Sequence, residues 1–181
     1  MARSSVSSST SSWRSSGIGV VRILFGLVWL ADAWFKWQPD FINKFTDYLT
    51  ETLKDQPAAV QGWLHFWVNV INVNPHAFAY IVAVGETAIA LGLIIGVFSN
   101  LTNVGGALLA LVIWSTAEGF GGPYQAGSTD VGAAIIYALV HAVLLLTRAG
   151  NSVGLDRWLT PKLGGWGILA TGPLTQTAVF I

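Results

Sequence analysis

Apolar residues run through four stretches of the chain that are about as long as a bilayer is thick. They cover residues 17–37, 76–98, 101–119 and 131–147. A helix needs roughly 20 apolar residues to cross the hydrocarbon core, so the fourth stretch is slightly short. The pattern predicts an all-α integral membrane protein in the form of a four-helix bundle.

The connection between the first and second spans has a different pattern. Phe41, Phe45 and Leu49 recur at helical spacing with charged residues between them, which predicts an amphipathic helix. Pro57 suits the first turn of a second short helix, whose apolar face includes Leu64 and Ile71. Both helices are expected to lie on the membrane surface or to cap the bundle.

The ends of the chain are expected to lie outside the bundle. Residues 1–16 are rich in serine and predict a disordered tail, residues 17–159 form the membrane domain, and residues 160–181 form a C-terminal tail. An apolar patch at 166–170 is too short to cross a bilayer. Arg22 interrupts the first apolar stretch, which favours a retained helix over a signal peptide.

Composition agrees with a membrane protein and excludes several functions. The chain is 53% hydrophobic and 10% charged, whereas soluble domains have about 25% charged residues. The absence of cysteine excludes disulfides, thiolate catalysis and iron–sulfur clusters. The formal net charge is zero and there is no long basic run, so nucleic acid is not an expected partner. The basic residues near both termini predict that both termini face the cytoplasm.

Charged and polar residues within the spans are the candidate site residues. A charge inside the bilayer costs about 2.5–3.5 kcal/mol, so these side chains are expected to face the bundle interior and to pair there. The helical rise divides them into two layers. The deep layer contains Arg22, Glu86 and His141, and the outer layer contains Asp32, Lys36, Glu118 and Asp130, with Trp114 close by.

Glu86 and His141 each have more than one interpretation. Glu86 could relay protons, bind a polar headgroup, or form a structural pair with Arg22. His141 could bind a quinone carbonyl, a metal or a proton, but a hydrogen-bonded structural histidine is favoured. No second histidine lies at metal-ligand spacing, so no metal site is predicted.

The outer layer is the place where a ligand is first expected. Asp32, Trp114 and Glu118 lie close to the glycine-rich segment 119–124. An apolar pocket with a few polar groups would suit a planar quinone. The alternative is a network of helix-end caps that contacts interfacial water.

Three short motifs resemble the DoxX/DoxD family of membrane proteins. The first span has Arg22, Gly26-Leu27 and Lys36 in the order of that family's opening helix, and Gly85-Glu86 precedes a Leu/Gly-rich run. Residues 154–159 are similar to a Leu-Asp-Arg-x-Leu ending. The long first connection and segment 119–132 are more similar to the DoxD branch, the small subunit of thiosulfate:quinone oxidoreductase. Asp32-Ala33 departs from the family's usual Ala-Gly.

The resemblance implies a membrane subunit of a quinone-linked oxidoreductase complex, with thiosulfate as one candidate donor. It implies quinone as a possible ligand and no covalently bound cofactor, the bilayer and other membrane subunits as partners, and a bacterial or archaeal plasma membrane as the location. Whether the chain is itself catalytic stays open. The alternatives are a structural or assembly subunit of a respiratory complex, and a small transporter or proton conductor.

Overall fold

The computed structural model describes residues 6–54, 56–128, 130–151 and 153–172, with side chains from Ser16 onward. The described residues form helices and turns, without a strand among them. The helices are α1 (Val6–Lys36), α2 (Pro39–Asn43), α3 (Phe45–Thr52), α4 (Ala58–Ile71), α5 (Pro75–Ile95), α6 (Ser99–Ser115), α7 (Ala133–Leu146) and α8 (Asp156–Leu159). Short 3-10 turns cover Gly119–Gly121, Ala149–Asn151, Thr160–Lys162 and Gly164–Leu169. The all-α prediction is confirmed.

The long helices differ in whether they can cross a bilayer on their own. Within the described part of the chain, Ser16–Lys36 of α1 and all of α5 are long and apolar enough to cross a membrane. The apolar helices α6 and α7 are shorter, with 17 and 14 residues. They rise only about 25 and 21 Å, respectively.

The N-terminal and interhelical segments differ from the sequence predictions. Helix α1 begins at Val6 and therefore continues through most of the serine-rich segment expected to be disordered, while Met1–Ser5 lies outside the described residues. Extending an existing helix costs little, because the unfavourable step is nucleation. The amphipathic helix predicted after the first span is divided at Lys44 into α2 and α3.

Close helix contacts hold the long helices together. Helix α1 runs antiparallel to α5, and a Cβ atom at Gly26 would lie 2.8 Å from Ile94 Cγ1. Helix α6 packs along α7, where a Cβ atom at Gly106 would overlap the His141 ring. The core between these helices consists of Trp29, Ile89, Ala90, Leu93, Ala110, Ala138, Leu144 and Ala149.

The two ends of this helical core are covered in different ways. At the end where α1 finishes, α2, α3 and α4 pack on the start of α5 through Ile42, Phe45, Leu49, Val68, Ile71 and Ala79. At the other end, the segment after α7 closes the turn between α5 and α6. Asp156 N donates to Gly96 O (2.9 Å), and its carboxylate accepts from Phe98 N (2.8 Å) and Ser99 N (2.7 Å).

Candidate ligand-binding site

A polar cavity of about 200 Å³ lies among α1, α5, α6 and α7, close to the end of α1. Its lining combines charged, aromatic and small side chains: Trp29, Asp32, Lys36, Glu86, Ala110, Ile113, Glu118, Ala133, Ala134 and Tyr137. We call this space the polar cavity. Three of the four long helices contribute a carboxylate or a phenol to it, and α1 also contributes an ammonium group.

One face of α1 lines the polar cavity with Trp29, Asp32 and Lys36, because these residues are three and four positions apart in the helix. Lys36 Nζ lies 3.8 Å from Glu86 Oε1 on α5. The Glu86 side chain is 2% exposed and the Lys36 side chain is 27% exposed, so the pair connects the buried middle of α5 to the edge of the protein. A buried carboxylate requires such a partner to stay ionised.

Tyr137 of α7 joins the opposite wall of the cavity to α1. Its hydroxyl donates a hydrogen bond to Asp32 Oδ2 at 2.8 Å. Its ring packs edge-on against Phe25 and Trp29, both at a centroid distance of 5.4 Å. The hydrogen bond and the ring contacts fix the phenol, so Tyr137 is a rigid part of the wall.

Glu118 closes the cavity where α7 begins. Its two carboxylate oxygens lie 3.2 and 3.1 Å from Ala134 N, which is one of the free N–H groups of the first helical turn. A carboxylate is favoured there by the helix dipole. Trp114 donates from Nε1 to Val131 O at 2.8 Å, so the segment before α7 is held to α6 as well.

His141 lies one helical turn beyond Tyr137 and does not line the polar cavity. It is fully buried, and its Nδ1 lies 3.1 Å from Asn103 Oδ1. The rings of Phe25 and Trp29 lie 4.9 and 5.6 Å from the imidazole. These aromatic contacts separate the polar cavity from the other end of the core.

Arg22 lies at that other end and does not reach Glu86. It is 1% exposed, donates to the Val153 carbonyl, and packs against Gly96 and Gly154. The antiparallel arrangement explains this position, because Arg22 meets α5 about ten residues beyond Glu86, or about 15 Å along the axis. The expected deep layer of Arg22, Glu86 and His141 is therefore divided among three levels.

A larger apolar groove adjoins the polar cavity. It has a volume of about 430 Å³ and is lined by Phe35, Lys36, Gln38, Asp40, Phe41, Phe45, Tyr48, Leu49, Trp67, Ile71, Phe78, Val82, Val112, Ile113, Thr116 and Ala117. We call it the apolar groove. Lys36 and Ile113 line both spaces. The Lys36 ammonium also lies 5.2 Å from the centre of the Phe41 ring, at this junction.

Comparison with known proteins identifies the family of the chain. The family model of DoxX matches residues 17–119, which is more than half of the sequence. This chain belongs to the DoxX family. No curated protein and no solved structure matches it significantly. As a DoxX protein with apolar helices it is a membrane protein, and the matched region contains α1 from residue 17 onward together with all of α5 and α6.

The DoxX match places Arg22, Asp32, Lys36, Glu86, Trp114 and Glu118 inside the matched residues, and Asp130 and His141 outside them. The structure brings Asp32, Lys36, Glu86 and Glu118 onto the polar cavity. Asp130 instead lies on the loop before α7, where its Oδ1 accepts from Gly132 N at 2.8 Å. Among the described residues, no group of three histidine, aspartate or glutamate side chains is arranged to hold a metal ion.

The sequence prediction did not name Tyr137 and Trp29, which line the polar cavity, as site residues, and it did not name Asn103, which contacts His141 outside the cavity. Tyr137 precedes His141 by one turn and follows Ala134 by three residues. That spacing places Tyr137 on the same face of α7 as the buried residues Ala134 and His141, and it could have revealed Tyr137. Asn103 has no comparable signal, because its role depends on the contact between α6 and α7.

Proposed function

We propose that this DoxX protein is a membrane subunit of a quinone-linked oxidoreductase and that it binds the quinone across the polar cavity and the apolar groove. The observation that carries the proposal is the junction at Lys36 and Ile113, which line both spaces. A quinone has a planar head with two polar oxygens and an apolar tail. The joined spaces offer a polar end and an apolar end in the same order.

The dimensions of the two spaces support this ligand class. Ligand pockets usually measure about 300–1,000 Å³, and the polar cavity alone is smaller than that at about 200 Å³. With the apolar groove of about 430 Å³, the joined space falls within the range. The head would then lie among Trp29, Lys36 and Glu86, and the tail would lie along the groove residues of α2, α3 and α4.

The proposal also includes the arrangement of the protein in the membrane. We infer that α1, α5, α6 and α7 span the bilayer as a four-helix bundle with both termini in the cytoplasm. The short helices α6 and α7 would be accommodated by local thinning of the bilayer. The chain has no cysteine for an iron–sulfur cluster, so electrons would come from a substrate or from a partner subunit. The DoxD-like connections favour thiosulfate as the first donor to test.

A substitution at the junction tests the quinone site. Ile113→Trp places a large side chain between the two spaces, whereas Leu108→Trp on the same helix changes a side chain that is 60% exposed. In nanodiscs we expect Ile113→Trp to weaken binding of a tailed quinone by at least about tenfold, equivalent to about 1.4 kcal/mol. Leu108→Trp should bind normally. Normal binding by both variants would contradict the proposed site.

The electron donor requires a separate experiment. Thiosulfate-dependent quinone reduction can be compared in membranes that contain or lack this protein together with its neighbouring subunits. A rate that depends on the protein supports the thiosulfate version. Equal rates would remove thiosulfate as the donor and leave the quinone site to be judged by the binding experiment.

A further inference from the structure

Two buried polar atoms of residues that line the polar cavity have no hydrogen-bond partner in the described structure. They are Glu86 Oε2, an acceptor, and Trp29 Nε1, a donor. Both residues are 1% exposed. Buried polar groups in proteins are nearly always paired, so an unpaired acceptor and an unpaired donor among the residues that line one cavity indicate that a molecule in the cavity, water or ligand, supplies their partners.

Neighbouring side chains do not satisfy Glu86 Oε2. Lys36 Nζ approaches the other carboxylate oxygen, Oε1, and at 3.8 Å it is too distant for a hydrogen bond. Trp29 Nε1 does not bond to Glu86 Oε2 either, and the proton of the Tyr137 hydroxyl is directed to Asp32 Oδ2 at 2.8 Å. Glu86 Oε2 therefore needs an O–H or N–H group from whatever occupies the cavity.

The oxidised and reduced forms of a quinone differ in whether they can donate a hydrogen bond to Glu86 Oε2. The oxidised ring carries carbonyl oxygens, which accept from the Trp29 indole but donate nothing to Glu86. The reduced ring carries hydroxyls, each of which donates one hydrogen bond and accepts another. With Glu86 ionised opposite the Lys36 ammonium, only the reduced form pairs with both Trp29 Nε1 and Glu86 Oε2. A hydrogen bond to an ionised acceptor is also stronger than one between neutral groups.

We propose that the polar cavity binds the hydroquinone form more tightly than the quinone form, with a ring hydroxyl donating to Glu86 and a ring oxygen accepting from Trp29. This preference rests on the proposed quinone site and adds the redox state that the site selects. It makes Glu86 the residue that distinguishes the two forms. Trp29 contacts an oxygen in either form and does not distinguish them.

The wild-type protein provides the first test. Purified protein in nanodiscs is titrated without oxygen with a tailed benzoquinone, with the same compound after chemical reduction, and with the dimethyl ether of the reduced compound. We expect the hydroquinone to bind at least about tenfold more tightly than the quinone. The ether lacks the hydroxyl protons and should bind no better than the quinone.

Two matched variants assign the preference to its residues. Glu86→Gln keeps the shape but offers a neutral acceptor, so the preference should fall to about threefold or less. Trp29→Phe should weaken both forms equally and keep their ratio. Equal affinities in the wild type, or an unchanged ratio in Glu86→Gln, would overturn the preference but leave the quinone site in place. Failure of both forms to bind the wild type would overturn the proposed function itself.

Discussion

The Lys36 ammonium lies 3.8 Å from Glu86 Oε1 and connects the last turn of α1 to the middle of α5. Two further contacts support the same position of α1 along α5. Trp37 Nε1 donates to Thr87 Oγ1 at 3.0 Å, and Gly26 packs against Ile94. Together they fix the register of the two longest helices. They also place a carboxylate and an ammonium group where the polar cavity meets the apolar groove.

Removing Lys36 should destabilise the protein much more than removing an exposed lysine. Lys36→Met leaves the buried Glu86 charge without a partner, and we expect a loss of about 3 kcal/mol in the free energy of unfolding. The control is Lys44→Met, since Lys44 pairs with Asp40 at 2.9 Å while both side chains are more than half exposed. The loss on Lys44→Met should be much smaller, because exposed ion pairs contribute little to stability. Denaturant titration in detergent compares them, and equal losses would show that the Glu86 pair is not structural.

Replacing each of two adjacent glycines of α6 by alanine should change the stability of the protein differently. At Gly106 a Cβ atom would overlap the His141 ring, whereas at Gly105 it would meet nothing within 4 Å. Gly105→Ala should stabilise α6 by up to about 1 kcal/mol, because alanine is the better helix former. Gly106→Ala gains the same propensity but loses about 1–3 kcal/mol to overpacking, so it should be neutral or destabilising. Thermal unfolding measures both, and equal shifts would contradict the α6–α7 contact.

Asp156 should be required for the stability of the turn between α5 and α6, which lies at the end of the core opposite the polar cavity. Its carboxylate accepts from Phe98 N and Ser99 N at the start of α6. Asp156→Ala leaves these donors unpaired and should cost about 2 kcal/mol. The neighbouring Arg157 is exposed and packs over Trp158, so Arg157→Gln should cost little. If hydrogen exchange at the start of α6 is as slow in Asp156→Ala as in the wild type, the cap is not required.

The predicted orientation can be measured cleanly because the chain has no cysteine. Gln125→Cys lies in the loop before α7, and Lys162→Cys lies after α7, so a spanning α7 places them on opposite sides of the membrane. A membrane-impermeant thiol reagent added to intact cells should label Gln125→Cys only. Labelling of Lys162→Cys alone would reverse the orientation, and labelling of both would show that α7 does not cross the bilayer.

The sequence predicted the helices better than it predicted the contacts between their side chains. The apolar stretches located α5, α6, α7 and the end of α1 within a few residues, whereas α1 begins about eleven residues before the predicted span. Small residues at a spacing of four on α7 predicted its buried face in part, since Ala134, Ala138 and His141 are buried but Ala142 is exposed. These features are local, so one stretch of sequence contains the information.

The contacts of Arg22 and Glu86 could not be read from the sequence in the same way. Depth estimates placed the two charges in one layer because a long side chain was allowed to reach between them. The partner of each charge depends on the register of α1 against α5, and close contacts such as Gly26 with Ile94 set that register. The apolar groove is likewise made by α2, α3 and α4 folding back onto α5, which local patterns do not specify.

Photoaffinity labelling tests the joined quinone site most directly. A tailed quinone with a photoreactive group on its ring is bound to the wild-type protein in nanodiscs, cross-linked, and located by mass spectrometry. The account predicts attachment to polar-cavity residues of α1, α6 or α7, such as Trp29, Ile113 and Tyr137, and loss of that attachment in Ile113→Trp. Attachment spread over exposed apolar residues such as Leu24 and Leu139, unchanged in Ile113→Trp, would contradict it.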